Sequence, residues 1–206
     1  MDILRDHPVN RQRIEKGLPP ANAIWLWGQG KRPQLQNFLE RFGLKGSVVS
    51  AVDLLKGIGR LAGMHVCEVP GATGYIDTNY TGKTQAALQE LKDGQDYVYI
   101  HVEAPDECGH RGEVQNKVKA IEDIDRLILG PLLKELPALG DYTLMVLPDH
   151  PTPLDIRTHV ATPVPYLLYR SNAEQDSGVS IFSENTAAQT GIYVDPGYTL
   201  IRRALS

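Results

Sequence analysis

Short apolar runs that alternate with helical patterns are the feature that most constrains how this chain can fold. Residues 97–102 and 142–147 are rich in aromatic and β-branched side chains, which is typical of buried strands. Between them, Val114, Val118 and Ile121 recur at helical spacing. Strands alternating with helices predict an α/β fold with a mainly parallel sheet flanked by helices.

The remaining elements follow the same pattern. Strands are predicted at residues 24–27, 48–49, 64–69, 97–102, 142–147 and 166–169. Helices are predicted at residues 34–42, 52–61, 81–91 and 198–205. A further helix is predicted from residue 114, and Gly130-Pro131 is expected to kink it or to end it before Leu136. The polar start, to about residue 21, is predicted to form loops and short turns. We find no linker and no internal repeat, so residues 1–206 are predicted to form a single domain.

Composition excludes several classes of function. The formal net charge of -4 gives no general attraction to nucleic acid or to an anionic membrane. No apolar run is long enough to span a bilayer, and the first residues lack the apolar stretch of a signal peptide. Two cysteines, Cys67 and Cys108, form no disulfide framework. We therefore expect a cytoplasmic protein with neither nucleic acid nor membrane as its partner.

Two segments carry the residues best suited to chemistry. Residues 103–110 follow one predicted strand, and residues 148–153 follow another. Because sites in parallel sheets form at the carboxyl ends of strands, we expect both segments to be loops that meet at one edge. With a further histidine nearby, the candidate metal ligands are Asp106, His110, Asp149, His150 and His159.

This mixture of carboxylate and imidazole suits zinc, manganese or iron. Two neighbouring ions would suit phosphoryl transfer, since they stabilise both the attacking and the leaving oxygen. The alternative is that Asp149 and His150 are ordinary surface or capping residues. His7, His65 and His101 are assigned to a turn and to packing within strands. The basic residues that could hold an anion are expected to be solvated: Arg5, Arg11, Arg13, Lys31, Lys56 and Lys83.

The segment from His101 to His110 resembles the metal motif of the archaeal-type cofactor-independent phosphoglycerate mutases. Residues 148–153 and the Thr158-His159 pair resemble the next two motifs of that family. Similar stretches cover nearly the whole chain in the family's order, at residues 27–30, 44–46, 51–59 and 70–80.

The resemblance implies an alkaline phosphatase-like fold and two divalent ions, commonly manganese or zinc. Asp106, His110 and His159 are similar to the ligands of one ion, and Asp149 and His150 to part of the shell of the second. Family members interconvert 3-phosphoglycerate and 2-phosphoglycerate through a phosphorylated serine. The similarity is to the carboxyl-terminal portion of the family, so the fold is expected to be incomplete relative to it.

In the family, an amino-terminal segment supplies the nucleophilic serine and an aspartate for the second ion. No serine here matches that motif: Ser47, Ser50, Ser171, Ser177, Ser180, Ser183 and Ser206. The catalytic and substrate-binding residues are therefore not assigned, the isolated chain is expected to be inactive, and at most one ion is expected to be held firmly. Without the family's amino-terminal segment, apolar surface of the sheet or helices is expected to be exposed. Because large exposed apolar patches usually mark binding surfaces, we expect self-association or binding of a complementing amino-terminal fragment. The alternatives are another two-metal phosphotransfer enzyme, such as a phosphatase or phosphopentomutase, and a non-catalytic metal-binding module.

Overall fold

The computed structural model describes residues 2–26 and 28–205. Contacts between residues divide the chain into two compact units, Met1–Gln34 and Leu35–Ser206. The extent of a single domain over residues 1–206 stays a prediction.

The first unit contains two short helices where loops were predicted. They are α1 (Asp2–Arg5) and α2 (Pro8–Glu15). The His7 imidazole accepts a hydrogen bond from the backbone N–H of Val9, and Pro8 occupies the first turn of α2, where its missing N–H costs no bond. The buried Asn10 side chain donates to the backbone carbonyls of Leu4 and Ala21 and accepts from the Ala21 N–H. Capping and side-chain hydrogen bonds hold these helices, and apolar periodicity does not report such bonds.

The second unit holds five strands and eight α-helices among its described residues. The strands are β1 (Gly46–Val49), β2 (His65–Cys67), β3 (Tyr97–Ile100), β4 (Thr143–Val146) and β5 (Leu167–Arg170). The helices are α3 (Phe38–Phe42), α4 (Asp53–Leu61), α5 (Tyr80–Lys92), α6 (Ala104–Arg111), α7 (Val114–Ile124), α8 (Gly130–Glu135), α9 (Glu184–Gln189) and α10 (Leu200–Ala204). Short 3₁₀ turns lie at Leu136–Leu139 and Gly197–Thr199.

The five strands form two separate sheets within the described residues. One is parallel, in the order β2-β1-β3, and the other is the antiparallel pair β4-β5. The predicted α/β class, with parallel strands flanked by helices, is confirmed.

Both faces of the parallel sheet are covered by helices. On one face, Ala87 of α5 packs against Val49 and Cys67. On the other, Gly59 of α4 lies so close to Val48 that an added Cβ would sit 2.8 Å from its Cγ2 atom. Burial on both faces explains why β1 consists wholly of buried residues.

The helix predicted from residue 114 extends through α7 and α8 and ends at Glu135, before Leu136. A π-helical segment, Asp125–Leu129, joins α7 directly to α8. Pro131 has no N–H to donate to the Leu127 carbonyl four residues earlier, and the Thr84 hydroxyl donates to that carbonyl instead, over 2.8 Å. Ile128, Leu132 and Leu136 from this region are buried in the core that also contains residues of α5.

Two further predictions need correction. The predicted strand at residues 24–27 is not formed: Ile24, Trp25 and Leu26 are irregular and exposed, and Trp27 lies outside the described residues. The predicted helix at residues 34–42 is only α3, because Asn37 caps its start and Gly43 ends it in the left-handed conformation. Among the described residues, none of the helices has the length and apolar character needed to cross a membrane.

Candidate metal centre

Asp106 and His110 lie on helix α6, and not in a loop as the sequence had suggested. Their spacing of four residues places both side chains on one face of the helix. Pro105 occupies the first turn, where its fixed φ favours helix formation. Gly112 follows α6 in the left-handed conformation and ends it. The helix begins just beyond β3, so both side chains lie near the carboxyl end of that strand.

Asp149, His150 and His159 lie in irregular backbone after β4. This segment returns toward α6 through backbone hydrogen bonds of its own, including one from the Val160 N–H to the Pro151 carbonyl. The loop therefore turns back on itself and presents its two histidines to one place. All five predicted residues are brought together there.

Three of them form a close triangle. The Nε2 atoms of His110 and His159 are 3.0 Å apart. Asp106 reaches both, with Oδ2 at 3.3 Å from His110 Nε2 and Oδ1 at 3.3 Å from His159 Nε2. Zinc ligands at 2.0–2.1 Å in a tetrahedron lie about 3.3–3.4 Å from one another. The spacing and chemistry of the triangle therefore fit a single divalent ion.

The backbone fixes which nitrogen of His110 can bind. Nδ1 lies 2.9 Å from the carbonyl oxygen of Arg157. Since a carbonyl only accepts, Nδ1 carries the proton, and in the neutral imidazole Nε2 keeps its lone pair toward the triangle. This is the arrangement that orients metal-binding histidines. Arg157 has a φ of 53°, uncommon for a residue with a side chain.

Thr152 and Lys117 hold Asp106 in place, and neither was identified from the sequence. The Thr152 hydroxyl donates to Asp106 Oδ1. Lys117 of α7 donates to the Thr152 carbonyl oxygen over 2.8 Å. Gly109 leaves room for this contact, since a Cβ there would lie 2.6 Å from that same carbonyl. Thr152 belongs to the recognised Pro-Asp-His-Pro-Thr-Pro motif, which could have drawn attention to it.

Asp149 and His150 form the second part of the centre. His150 Nε2 is 3.1 Å from Asp149 Oδ2, and its Nδ1 is 3.9 Å from Asp106 Oδ1. The rings of His150 and His159 have centroids 3.6 Å apart. His150 thus also joins Asp106 and His159 as a possible third ligand. Two side chains make an incomplete shell for a second ion.

A buried polar group adjoins the centre at the end of β3. Lys83 is 1% exposed, contrary to the expectation that it is solvated, and its ammonium donates to the His101 carbonyl over 2.9 Å. Burial lowers the pKa of Lys83 to about 8, although the nearby Glu103 opposes this. Burial, and then the charge of Lys83, also lower the pKa of His101.

His101 meets Ser50 and not the metal-binding triangle. Its Nδ1 is 3.3 Å from the Ser50 hydroxyl, in keeping with its assignment to packing at the strand. Cys108 is fully buried, and burial raises its thiol pKa, which disfavours the thiolate needed to bind metal.

No serine hydroxyl in the described part of the chain is hydrogen-bonded to the five candidate ligands. Ser47 donates to Glu90, and Ser183 caps α9. Ser206 lies outside the described residues.

The fold and this arrangement of carboxylate and imidazole define a metal-dependent enzyme class. A family model described as "Metalloenzyme superfamily" matches residues 6–195. The chain belongs to the metalloenzyme superfamily.

Its named relatives are more specific. It is 49% identical over 203 residues to a probable 2,3-bisphosphoglycerate-independent phosphoglycerate mutase of Geobacter sulfurreducens, covering 98% of this chain and 51% of that protein. It is 51% identical over 201 residues to the 2,3-bisphosphoglycerate-independent phosphoglycerate mutase of Methanothrix thermoacetophila, covering 97% of this chain and 51% of that protein. The chain thus spans about half the length of these curated relatives.

Two solved structures are similar over nearly the whole of this chain. A cofactor-independent phosphoglycerate mutase from Thermoplasma acidophilum is 29% identical with a TM-score of 0.62, over 99% of this chain and 48% of that one. A protein from Pyrococcus horikoshii is 32% identical with a TM-score of 0.76, over 91% and 49% of the two chains. The resemblance predicted from the motifs is confirmed.

Proposed function

We propose that this chain supplies the metal-binding part of an enzyme that interconverts 3-phosphoglycerate and 2-phosphoglycerate without bisphosphoglycerate. The observation that carries the proposal is the convergence of Asp106, His110 and His159, with ligand atoms 3.0–3.3 Å apart. Relatives about 50% identical are named as this mutase, which favours it over other phosphotransfer reactions. The chain would be the carboxyl-terminal portion of the enzyme.

Two divalent ions, manganese or zinc, complete the proposal. Asp106, His110 and His159 would hold the first, and Asp149 and His150 part of the shell of the second. When bound, such ions stabilise the negative charge of a transferring phosphoryl group. Only the first set offers three ligands on this chain, so the first ion would be held more firmly.

The chain's own residues would orient this chemistry. The Thr152 hydroxyl holds Asp106 Oδ1, and the Arg157 carbonyl keeps the proton of His110 on Nδ1. Asp149 has 70% of its side chain exposed, so its carboxylate is accessible to a substrate-bearing segment. The nucleophilic serine would come from outside this chain, as would the remaining ligand of the second ion.

A complementing segment of the enzyme is the proposed partner. Strands β3 and β4 both lead to the metal centre, yet they belong to separate sheets, and each has an edge without a partner strand in the described residues. Unpaired edges present backbone groups that another strand can satisfy. The coverage of about half of each relative supports the same proposal. Phosphoglycerate would be the substrate of the completed enzyme, and the reducing cytoplasm its location.

A chimera tests the function. The matching half of the Geobacter sulfurreducens relative is replaced by this chain, and conversion of 3-phosphoglycerate to 2-phosphoglycerate is measured with manganese present. We expect turnover that is abolished by Asp106→Asn, while the isolated chain shows none. A folded, metal-loaded chimera that cleaves phosphate esters but never forms 2-phosphoglycerate would contradict the proposal and favour a phosphatase.

A further inference from the structure

A second group of potential metal ligands lies on the face of the parallel sheet that α5 covers. His65 and Cys67 are two residues apart on β2, so their side chains point to the same face. In the parallel register, Ser47 pairs with His65 and Val49 with Cys67. The group lies at the edge strand of the sheet, outside the Asp106 centre.

Helix α5 adds a carboxylate to this face. Ala87 is buried against Val49 and Cys67, and Glu90 follows one helical turn later on the same side of the helix. The Glu90 Oε2 atom accepts from Ser47 Oγ over 2.5 Å and lies 2.7 Å from His65 Nδ1. One ligand atom each from His65, Cys67 and Glu90 lies within 4.8 Å of the others.

We propose that His65, Cys67 and Glu90 form a further cation site, separate from the Asp106 centre, which takes a thiophilic divalent ion such as zinc. One imidazole nitrogen, one sulfur and one carboxylate oxygen are a donor set that zinc accepts. Ligand atoms around a tetrahedral zinc ion lie about 3.3–3.7 Å apart. The three ligand atoms here lie within 4.8 Å of one another, so side-chain movements of about 1 Å would bring them to zinc-binding distances. A solvent molecule would take the fourth position.

Accessibility and burial are distributed as such a site requires. The His65 side chain is 58% exposed and gives an ion a path of entry, whereas Glu90 is 15% exposed. Cys67 is buried. Burial, reinforced by Glu90, raises the pKa of Cys67 to about 12, so the thiol keeps its proton until a cation replaces it. Burial acts to raise the pKa of Glu90, yet the hydrogen bonds from Ser47 and His65 lower it overall, so the carboxylate remains charged.

An ion held here would connect an edge strand to the helix that covers it. Because the unfolded chain does not hold these three groups together, binding would stabilise the folded state. This role is independent of phosphoryl transfer, and the site would respond to zinc but scarcely to manganese, which prefers oxygen ligands.

Cobalt is a suitable probe, because a cobalt–thiolate bond gives a charge-transfer absorption in the near ultraviolet. The titration uses the 206-residue chain carrying Asp106→Ala. This change removes the carboxylate that lies next to both His110 and His159, so that cobalt binding at that centre is weakened. We expect a thiolate band that saturates, and loss of that band in Cys67→Ser. His65→Ala should weaken cobalt binding at least about tenfold. Cys108→Ser, a change at the other buried cysteine, should leave the band intact.

Two controls separate loss of cobalt binding from loss of folding. His65 is exposed, so His65→Ala should fold even if Cys67→Ser does not, and thermal unfolding in the absence of metal checks both. A chain that develops no thiolate band would show a purely hydrogen-bonded cluster and overturn the proposal. So would a band that survives Cys67→Ser or disappears with Cys108→Ser.

Discussion

Single side chains fix the geometry of the metal centre: Thr152 donates to Asp106, and Lys117 donates in turn to the Thr152 carbonyl. Asp106 and Asp149 could be predicted as site residues because both closely follow a predicted strand. Thr152 and Lys117 depend on a contact across 35 residues, which no local pattern reports. The burial of Lys83 was also missed, although Lys83 falls at helical spacing between Tyr80 and Ala87, which are both buried.

The hydrogen bond from Thr152 to Asp106 gives the first prediction. Thr152→Val removes the hydroxyl but keeps the shape of the side chain, so Asp106 loses its orienting donor. We expect manganese or zinc to bind about 10-fold to 100-fold more weakly, as measured by isothermal titration calorimetry. Thr152→Ser keeps the hydroxyl and should bind nearly as tightly as wild type. Equal loss in both variants would assign the effect to packing.

Lys83 gives a prediction about pH. Its pKa is lowered from 10.5 to about 8 in the folded protein, mainly by burial, so between pH 8 and 10.5 the unfolded chain binds more protons. The contribution of Lys83 to the free energy of unfolding therefore rises across this window, by about 3 kcal/mol. Below pH 8 it is constant and unfavourable.

Urea unfolding of wild type and Lys83→Met at several pH values isolates this contribution. We expect the wild-type stability to increase relative to the variant between pH 8 and 10.5. A difference between the two proteins that stays constant across that window would show that Lys83 titrates as a solvated lysine.

At the scale of secondary-structure elements, strands and helices with strong apolar periodicity were predicted well. Strands β1 to β5 all overlap predicted strands. The observed ends of α4 and α5 lie no more than one residue from the predicted ends. Helix α6 was missed because its apolar content is low and its pattern is dominated by ligands. The predicted strand at residues 24–27 failed because apolar character alone does not provide a partner strand.

Two glycines in α4 form a matched pair. An added Cβ at Gly59 would lie 2.8 Å from Val48 Cγ2, whereas Gly57 has nothing within 4 Å. Gly59→Ala should therefore destabilise by about 1–3 kcal/mol through overpacking. Gly57→Ala should stabilise by about 0.5–1 kcal/mol through helix propensity. Chemical denaturation measures both, and the same sign for both would contradict the close packing of α4 on β1.

At the scale of the whole molecule, the sequence predicted the fold class and the family, because similarity runs along nearly the full chain. It did not predict that the strands would fall into two sheets. Strand pairing depends on which strand edges meet in the folded protein. Because 42 residues separate the end of β3 at Ile100 from the start of β4 at Thr143, no local sequence pattern shows whether these two strands pair. Both strands lead to the metal centre, and each has an edge that is unpaired in the described residues, where a further segment could pair.

One face of helix α7 is apolar and partly exposed, so we expect copies of the chain to associate through it. Val114, Val118 and Ile121 share one side of α7 and are each about half exposed. In the absence of a complementing segment, we expect concentration-dependent self-association by light scattering. Val118→Lys should reduce it, and Leu139→Lys, at an exposed position outside α7, should not. A wild-type chain that is monomeric at all concentrations would count against this surface.

The central claim, that Asp106, His110 and His159 hold a divalent ion, is tested most directly by metal analysis of the purified chain. After dialysis against manganese, which the cysteine-containing cluster should bind poorly, we predict about one ion per chain. Asp106→Ala and His159→Ala should both lose it, and His7→Ala, a histidine of the first unit, should retain it. A folded wild-type chain that carries no manganese, or variants that retain it, would show that these three residues do not hold a divalent ion.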